Sequence, residues 1–374
     1  GWTIEPRPGL PVDAGCEWLH SARRNVLAPL IEGEGFVVDR TPAHWRRRSD
    51  RLSFSAADQR AFGEAYSAFE ARLERAAATG VDRVAADFLE PDCRWNPLID
   101  AVSSWYNGAE FDRVSTLDYA AYDDGQVNWR VREGYGAAIA TLASPLEPVL
   151  DCPVEVIDHS AAPIRLVTAR GALTAGAVIV TVPTPVLAGE HIRFTPALPK
   201  KVAAAAGLPL GIADKAFLAL SEPHALPIEG HLFGRTDSTA TASYHLRPFG
   251  LPYIEAYFGG RLAADLEGEG AGALAAFAID QLCAALGSEI RQTVTVLAET
   301  AWKADPWALG SYSHALPGHA GDRAILAASV DGRLFFAGEA THPSFFSTAH
   351  GAWESGLRAA EEALGALASP TPRS

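Results

Sequence analysis

The run Arg333-Leu-Phe-Phe-Ala-Gly-Glu-Ala-Thr-His342, followed by Ser347-Thr-Ala-His-Gly-Ala-Trp-Glu-Ser-Gly-Leu-Arg-Ala-Ala360, gathers residue types suited to holding a group that becomes anionic. Leu334 to Ala337 form an apolar, strand-like stretch. Gly338 ends it without a side chain, so backbone can approach a ligand closely. Thr348 is placed to cap the next helix, and Ala349, Gly351, Ala352, Ser355, Gly356 and Ala359 keep that helix thin. Unpaired N–H groups at such a helix start, with the positive end of the helix dipole, suit developing negative charge. A strand packed on a helix through small residues leaves the same signature, so residue types alone keep both readings open.

Other side chains suit chemistry as well. Lys215, set among Ala213, Ala216 and Phe217, fits a partly buried amine that is neutral or holds a water, whereas a lysine at a strand start is ordinarily a solvated edge charge. His20 follows the apolar pair Trp18-Leu19. It reads either as a core histidine bonded to backbone or as a group that discriminates protonation states near neutral pH. Trp302 and Tyr312 read as core aromatics or as π faces for a cation. Glu17 and Glu339 are carboxylates near these residues in sequence, and His350 reads as a packing residue.

The elements that must position these groups alternate between two patterns. Residues 1–40 and 128–206 read as β-rich and αβ pieces of one domain, closed by the strand and helix of 320–374. Between them, Ala56 to Ala78 carries Phe62, Ala65, Tyr66, Phe69 and Leu73 at helical spacing, and Ala85 to Asn107 reads as further helix. From 207 to 319 the pattern turns to strands, Lys215 to Leu220 and Pro252 to Phe258, then a helix at Gly272 to Leu286. Residues 41–127 and 207–319 thus form a second, α+β domain. Ser369-Pro-Thr-Pro-Arg-Ser374 reads as a frayed tail.

Composition bounds the function. A chain of 374 residues, 48% hydrophobic with mean hydropathy +0.04, has room for two domains, and its longest apolar runs are strand-length, which predicts no membrane span. A net charge of −14 disfavours nucleic acid, since phosphate binding wants a basic surface. The same acidity either keeps the chain soluble or draws a cation. Cys16, Cys93, Cys152 and Cys283 lie far apart without a Cys-x-x-Cys pair, which predicts no metal site and reduced thiols in a cytoplasmic setting.

Phe-Ala-Gly-Glu-Ala-Thr-His342, Phe346-Ser-Thr-Ala-His-Gly-Ala352 and Ser355-Gly-Leu-Arg-Ala-Ala360 resemble the C-terminal flavin-binding segment of the flavin-containing amine oxidases, nearest their polyamine and spermine oxidase branch. Val12-Asp-Ala-Gly-Cys-Glu-Trp-Leu-His20, Arg130-Val-Arg-Glu-Gly-Tyr135, Pro153-Val-Glu-Val-Ile157, Ala177 to Pro183, which looks like that family's next buried strand, Leu208 to Lys215, and Trp302 to Ser313 follow in that family's order, so the resemblance covers essentially the whole chain. It implies an α/β flavin domain of Rossmann-like type interleaved with a substrate domain. By the same resemblance Gly338 and Glu339 lie along FAD, Thr348 and Ala349 meet the flavin pyrimidine edge, and Glu17 and Trp18 pass the ring. Val154 meets the adenine, Lys215 holds a water at N5, His20 faces substrate, and Trp302 and Tyr312 flank the ring.

The implied reaction is oxidation of the carbon beside an amine nitrogen, with O2 reoxidising the flavin to give hydrogen peroxide. Two rivals are a flavin-dependent carbon–carbon desaturase of related fold and a flavin-free binding subunit. Ser347-Thr348 stands where monoamine oxidases place a second cage tyrosine, which points to a polyamine-like amine. The family's opening strand, Gly-x-Gly-x-x-Gly turn and helix are not found; Gly268-Glu-Gly-Ala-Gly-Ala273 follows a polar, helix-like stretch and reads as a loop. With no methionine anywhere, Gly1 included, three expectations stand: a partial sequence, a second chain that supplies the opening unit, or a protein that has lost FAD.

Overall fold

The computed structural model describes residues 1–47 and 51–368; the expected frayed tail at 369–374 lies outside the described residues. Its largest sheet has six strands in the order Val294–Glu299, Ala213–Leu220, Tyr253–Gly259, Ser243–Leu246, Gly230–Phe233 and Arg51–Leu52. The pairings are antiparallel except the last, which is parallel.

Ala213–Leu220 is buried at every position because it has a strand on each side and packing on both faces. Period-two alternation then sorts its side chains. Ala216, Leu218 and Leu220 pack with the helices Gly260–Glu269 and Ala273–Leu286, while Phe217 packs with Leu10 and Val12 on the opposite face. Lys215 shares the face of Phe217. It is therefore turned toward the chain segment that begins at Leu10, which is how an unremarkable strand lysine becomes a buried one.

A four-stranded sheet runs Arg193–Thr195, Val154–Asp158, Ile164–Thr168, Gly171–Ala175, and the short strands Trp18–Leu19, Trp129–Val131 and Val38–Asp39 form a three-stranded one. Val178–Val180 pairs in parallel with Leu334–Phe336. The expected buried strand at Ala177 to Pro183 is corrected here: it is three residues long and Ile179 is 38% exposed, because its only ladder partner among the described residues lies on one side.

The helix Ala56–Ala77 forms as its apolar spacing predicts, capped by the Ser55 hydroxyl on the Asp58 N–H, with Phe69 and Leu73 fully buried. The expected helix from Ala85 to Asn107 breaks in two. A 3-10 turn spans Ala85–Phe88 and an α-helix spans Asn96–Asn107. Pro91 disfavours helix at the residue before it, Asp92 takes a positive φ of 58°, and Pro97 starts the second helix in its first turn. The loop expected over Gly268 to Ala273 is shorter: Gly268 and Glu269 belong to the helix Gly260–Glu269 and Ala273 opens the next, leaving a break with Gly270 and Gly272 at φ 99° and 93°. Among the described residues, no single helix is long and apolar enough to cross a membrane.

Candidate active site

Lys215 is 5% exposed, and its Nζ donates to Asp13 O at 2.9 Å while lying 3.2 Å from Glu255 Oε1 and 3.4 Å from Glu17 Oε2. The solvated edge charge is thereby excluded, and so is the neutral amine. Burial alone would lower the lysine pKa, but Glu255 and Glu17 outweigh it and hold the pKa above its ordinary value. Lys215 is an ammonium that can donate hydrogen bonds and cannot act as a base in the neutral range.

Behind it lies a charged layer. Arg130, 1% exposed, sits 3.6 Å from Glu17 and 2.6 Å from Glu229, and His245 Nε2 lies 2.8 Å from Glu229. The Arg130 guanidinium is sandwiched between Trp18 and Phe249, 4.9 and 4.1 Å from the ring centres, which positions a planar cation without water. Burial opposes ionisation of Glu229, yet His245 and Arg130 hold it down at about 2. Asp13 anchors the other end, accepting the Tyr135 and Gly136 N–H groups at 2.9 and 3.0 Å and the Thr3 hydroxyl at 2.6 Å.

The expected site residues fall into two joined groups. Around Lys215 stand Glu17, Trp302, whose indole N–H donates to Ala14 O at 3.1 Å, and Tyr312, whose hydroxyl lies 2.9 Å from that of Tyr257, the cross-strand partner of Lys215. Trp18 belongs to the Arg130 layer. His20 follows directly, its Nδ1 2.9 Å from Asn128 Oδ1, and burial lowers its pKa, so its imidazole is neutral with the proton assigned to Nδ1 by that bond.

The second group is built on the chain's end. Glu339 accepts the Ser313 N–H at 3.0 Å, the Ser313 hydroxyl at 2.8 Å and the Ser347 N–H at 2.6 Å, clipping the segment after Tyr312 to the turn before the last helix. Thr348 caps that helix, Ala349–Ala368, by accepting the Gly351 N–H at 3.0 Å. Ala349 packs against the cluster of Leu19 and Val131, which joins the groups through the segment that carries His20. Val154 packs against the core cluster that includes Ile157, Phe336 and Ala340, separate from the cluster of Phe217 on the face of Lys215.

Beyond the carboxyl ends of the parallel pair lies a cleft of about 270 Å³ lined by Thr181, Val182, Gly338, Glu339, Ser311 and Ala352. Carboxyl ends of parallel strands are where such folds bind dinucleotides. Gly338 has φ 129°, and a Cβ there would project into open space, so bare backbone faces a volume a ligand can enter. Gly351 is different. A Cβ there would collide with Phe345 O, so Gly351→Ala is expected to cost about 1–3 kcal/mol, read as a lower urea midpoint. A wild-type midpoint would mean that this turn relaxes freely.

Glu255, Glu229, His245, Arg130 and Asp13 were not among the expected site residues. The available signal was a lone Glu255 in the apolar strand Tyr253–Gly259 and a lone Arg130 between Trp129 and Val131. A charge inside a short apolar strand has to find a partner.

Residues 32–364 match the model of the flavin containing amine oxidoreductase family. The chain is 30% identical to Polyamine oxidase 3 of Oryza sativa subsp. japonica, across 95% of this chain and 79% of that protein. It is 28% identical to Polyamine oxidase 2 of Arabidopsis thaliana, across 95% and 78%. Among solved structures, cyclohexylamine oxidase from Brevibacterium oxydans IH-35A superposes with a TM-score of 0.78 at 20% identity, covering 98% of this chain and 91% of that one, a likeness of fold.

Proposed function

The chain belongs to the flavin-containing amine oxidoreductases, and from that premise we propose that it is an FAD-dependent oxidase of a polyamine-like amine. The observation that carries the reading is Lys215, a buried ammonium fixed by Asp13 O, Glu17 and Glu255 beside the segment that ends in His20. Gly338 and the first turn of Ala349–Ala368 would hold the FAD. When bound, FAD would supply the redox chemistry, taking a hydride from the carbon beside nitrogen, with O2 then reduced to hydrogen peroxide.

The chain's own groups do the remaining work. Lys215 holds a donor at one invariant place. Neutral His20, with its Nδ1–H committed to Asn128, keeps an acceptor nitrogen for the amine N–H. Trp302 and Tyr312 are held from behind, by Ala14 O and Tyr257, and exclude water on the side of Lys215. Water then hydrolyses the substrate imine to a carbonyl compound and a smaller amine. The polyamine class draws support from the two plant relatives, both polyamine oxidases, and from Ser347-Thr348 in place of a cage aromatic.

The test is to titrate the purified chain with FAD, follow visible absorbance, and screen polyamines, alkylamines and arylalkylamines for peroxide release. Flavin bands with polyamine-dependent peroxide are expected. A flavin-loaded protein that releases no peroxide with any amine would overturn the proposal.

A further inference from the structure

The buried layer around Lys215 has unequal charges. Two permanent cations, Lys215 and Arg130, face Glu17, Glu229 and Glu255, all less than 10% exposed, while the equally buried Asp13 beside them is met by three donors of its own, Thr3 Oγ1 and the Tyr135 and Gly136 N–H groups. An uncompensated buried carboxylate is costly, so the layer must take up a proton. Glu229 is an unsuitable host, because it already receives Arg130 at 2.6 Å, His245 at 2.8 Å and the Phe249 N–H. Glu17 and Glu255 instead lie 3.4 and 3.2 Å from the same lysine nitrogen and within hydrogen-bond reach of each other, and two carboxyls in one site do not both ionise.

We propose that Glu17 and Glu255 share one proton and so lock Lys215 as a hydrogen-bond-donating ammonium, which makes this carboxyl pair, and not the lysine, the group that titrates beside the site. Glu17 and Glu255 are positioning residues in this scheme. The groups facing the pair are Asp13 and Lys215, Arg130, His245 on the neighbouring strand opposite Glu255, Glu229 behind it, and Tyr253 and Tyr257 on the Glu255 strand. His245 does not compete for the proton, since burial lowers its pKa. Burial first, and then Glu17, push Glu255 up to about 8, while Lys215 and Arg130 outweigh burial and hold Glu17 below the ordinary range, which is how one shared proton divides between unequal partners.

The structural half of the proposal stands without amine oxidation; its consequence for turnover rests on that reading. Infrared spectra of the purified chain at pH 7 should show a protonated-carboxyl C=O band that shifts in D2O. At that pH Asp100 and Asp214, which burial lifts to about 6, are mostly ionised, and Asp13 and Glu70, also lifted by burial, are common to the wild-type chain and the glutamine variants. Glu17→Gln and Glu255→Gln should each abolish the pair's band, because either leaves two carboxylates, apart from the separately bonded Asp13, against two cations, and His245→Gln should keep it. If one glutamine variant fails to fold, the other still decides.

Stability gives an independent readout. Glu255 binds its proton more tightly in the native protein than at the ordinary 4.5, so its contribution falls as pH rises from about 4.5 to about 8, and Glu255→Gln should lose that slope in Tm. In flavin-loaded protein the limb of kcat/KM near pH 8 should vanish in the same variants. A band that survives both glutamine substitutions, or a wild-type protein with no band and an imidazolium signal from His245, would overturn the proposal. A lost band in a protein that oxidises no amine would sustain the proton pair and reject the proposed function.

Discussion

Lys215→Met is expected to lower the rate of amine-dependent flavin reduction by about 10²–10³-fold, the range seen when one preorganised donor is removed from a reaction site. The side chain is fixed by three partners at 2.9 to 3.4 Å, so it reorganises little during a reaction. Methionine fills the volume but donates nothing. It also strands Glu17 and Glu255, and breaking a buried pair by removing one partner costs about 3–5 kcal/mol where the survivors stay charged. The stability loss should therefore be larger at pH 8 than at pH 5, where both carboxyls can be neutral. Anaerobic stopped-flow reduction and urea melts at the two pH values check both halves. Normal reduction rates would exclude Lys215 from the reaction.

Burial alone does not place a lysine at the site, as Lys201 shows. It is 6% exposed, yet its Nζ donates to Ile325 O and Leu326 O at 2.8 Å and to Ala328 O, satisfying the carboxyl end of the helix Asp322–Ala327. Nothing in Pro199-Lys200-Lys201 distinguishes that lysine in sequence, because its partners lie more than 120 residues away. The same limit hid the charged layer: Glu17, Arg130, Lys215, Glu229 and Glu255 come from five separate stretches of chain. What was legible was local. Periodicity located Ala56–Ala77, the apolar run Lys215 to Leu220 located most of the strand Ala213–Leu220, and small residues after Thr348 located the start of the last helix. Where Pro91 and Asp92 interrupted a helical pattern, local chemistry outweighed periodicity. The neutral state allowed for Lys215 failed for a related reason, since its charge is set by Glu255 from the neighbouring strand, which no spacing in the sequence reveals.

Arg323→Met is expected to be the most destabilising substitution outside the Lys215 layer. Arg323, 3% exposed, grips Asp118 with two bonds, Nε to Oδ1 at 2.6 Å and Nη2 to Oδ2 at 2.9 Å, and its Nη1 donates to Ser313 Oγ at 2.9 Å and Ala340 O at 3.3 Å. Its guanidinium lies 3.7 Å from the Phe346 ring centre. One side chain thus ties the helix Thr116–Ala121 to the segment after Tyr312 and to the turn between Gly338 and Thr348. Asp118 completes the tie by accepting the Ala315 N–H at 2.9 Å. Removing the arginine leaves a buried carboxylate and a loosened Ser313–Glu339 clip, a loss of about 3–5 kcal/mol. Asp118→Asn leaves Arg323 a buried cation without a counter-charge and turns an amide NH2 toward one of its N–H groups, while the amide oxygen can still accept from Ala315. The pair Asp118→Asn with Arg323→Met should then cost less than the sum of its members, since each single change strands a partner that the double change removes. Urea midpoints of the four proteins close the cycle. Strict additivity would mean that the two residues stabilise the fold separately; coupling would mean that the cleft at Gly338 and the helical layer are held in register by one buried ion pair.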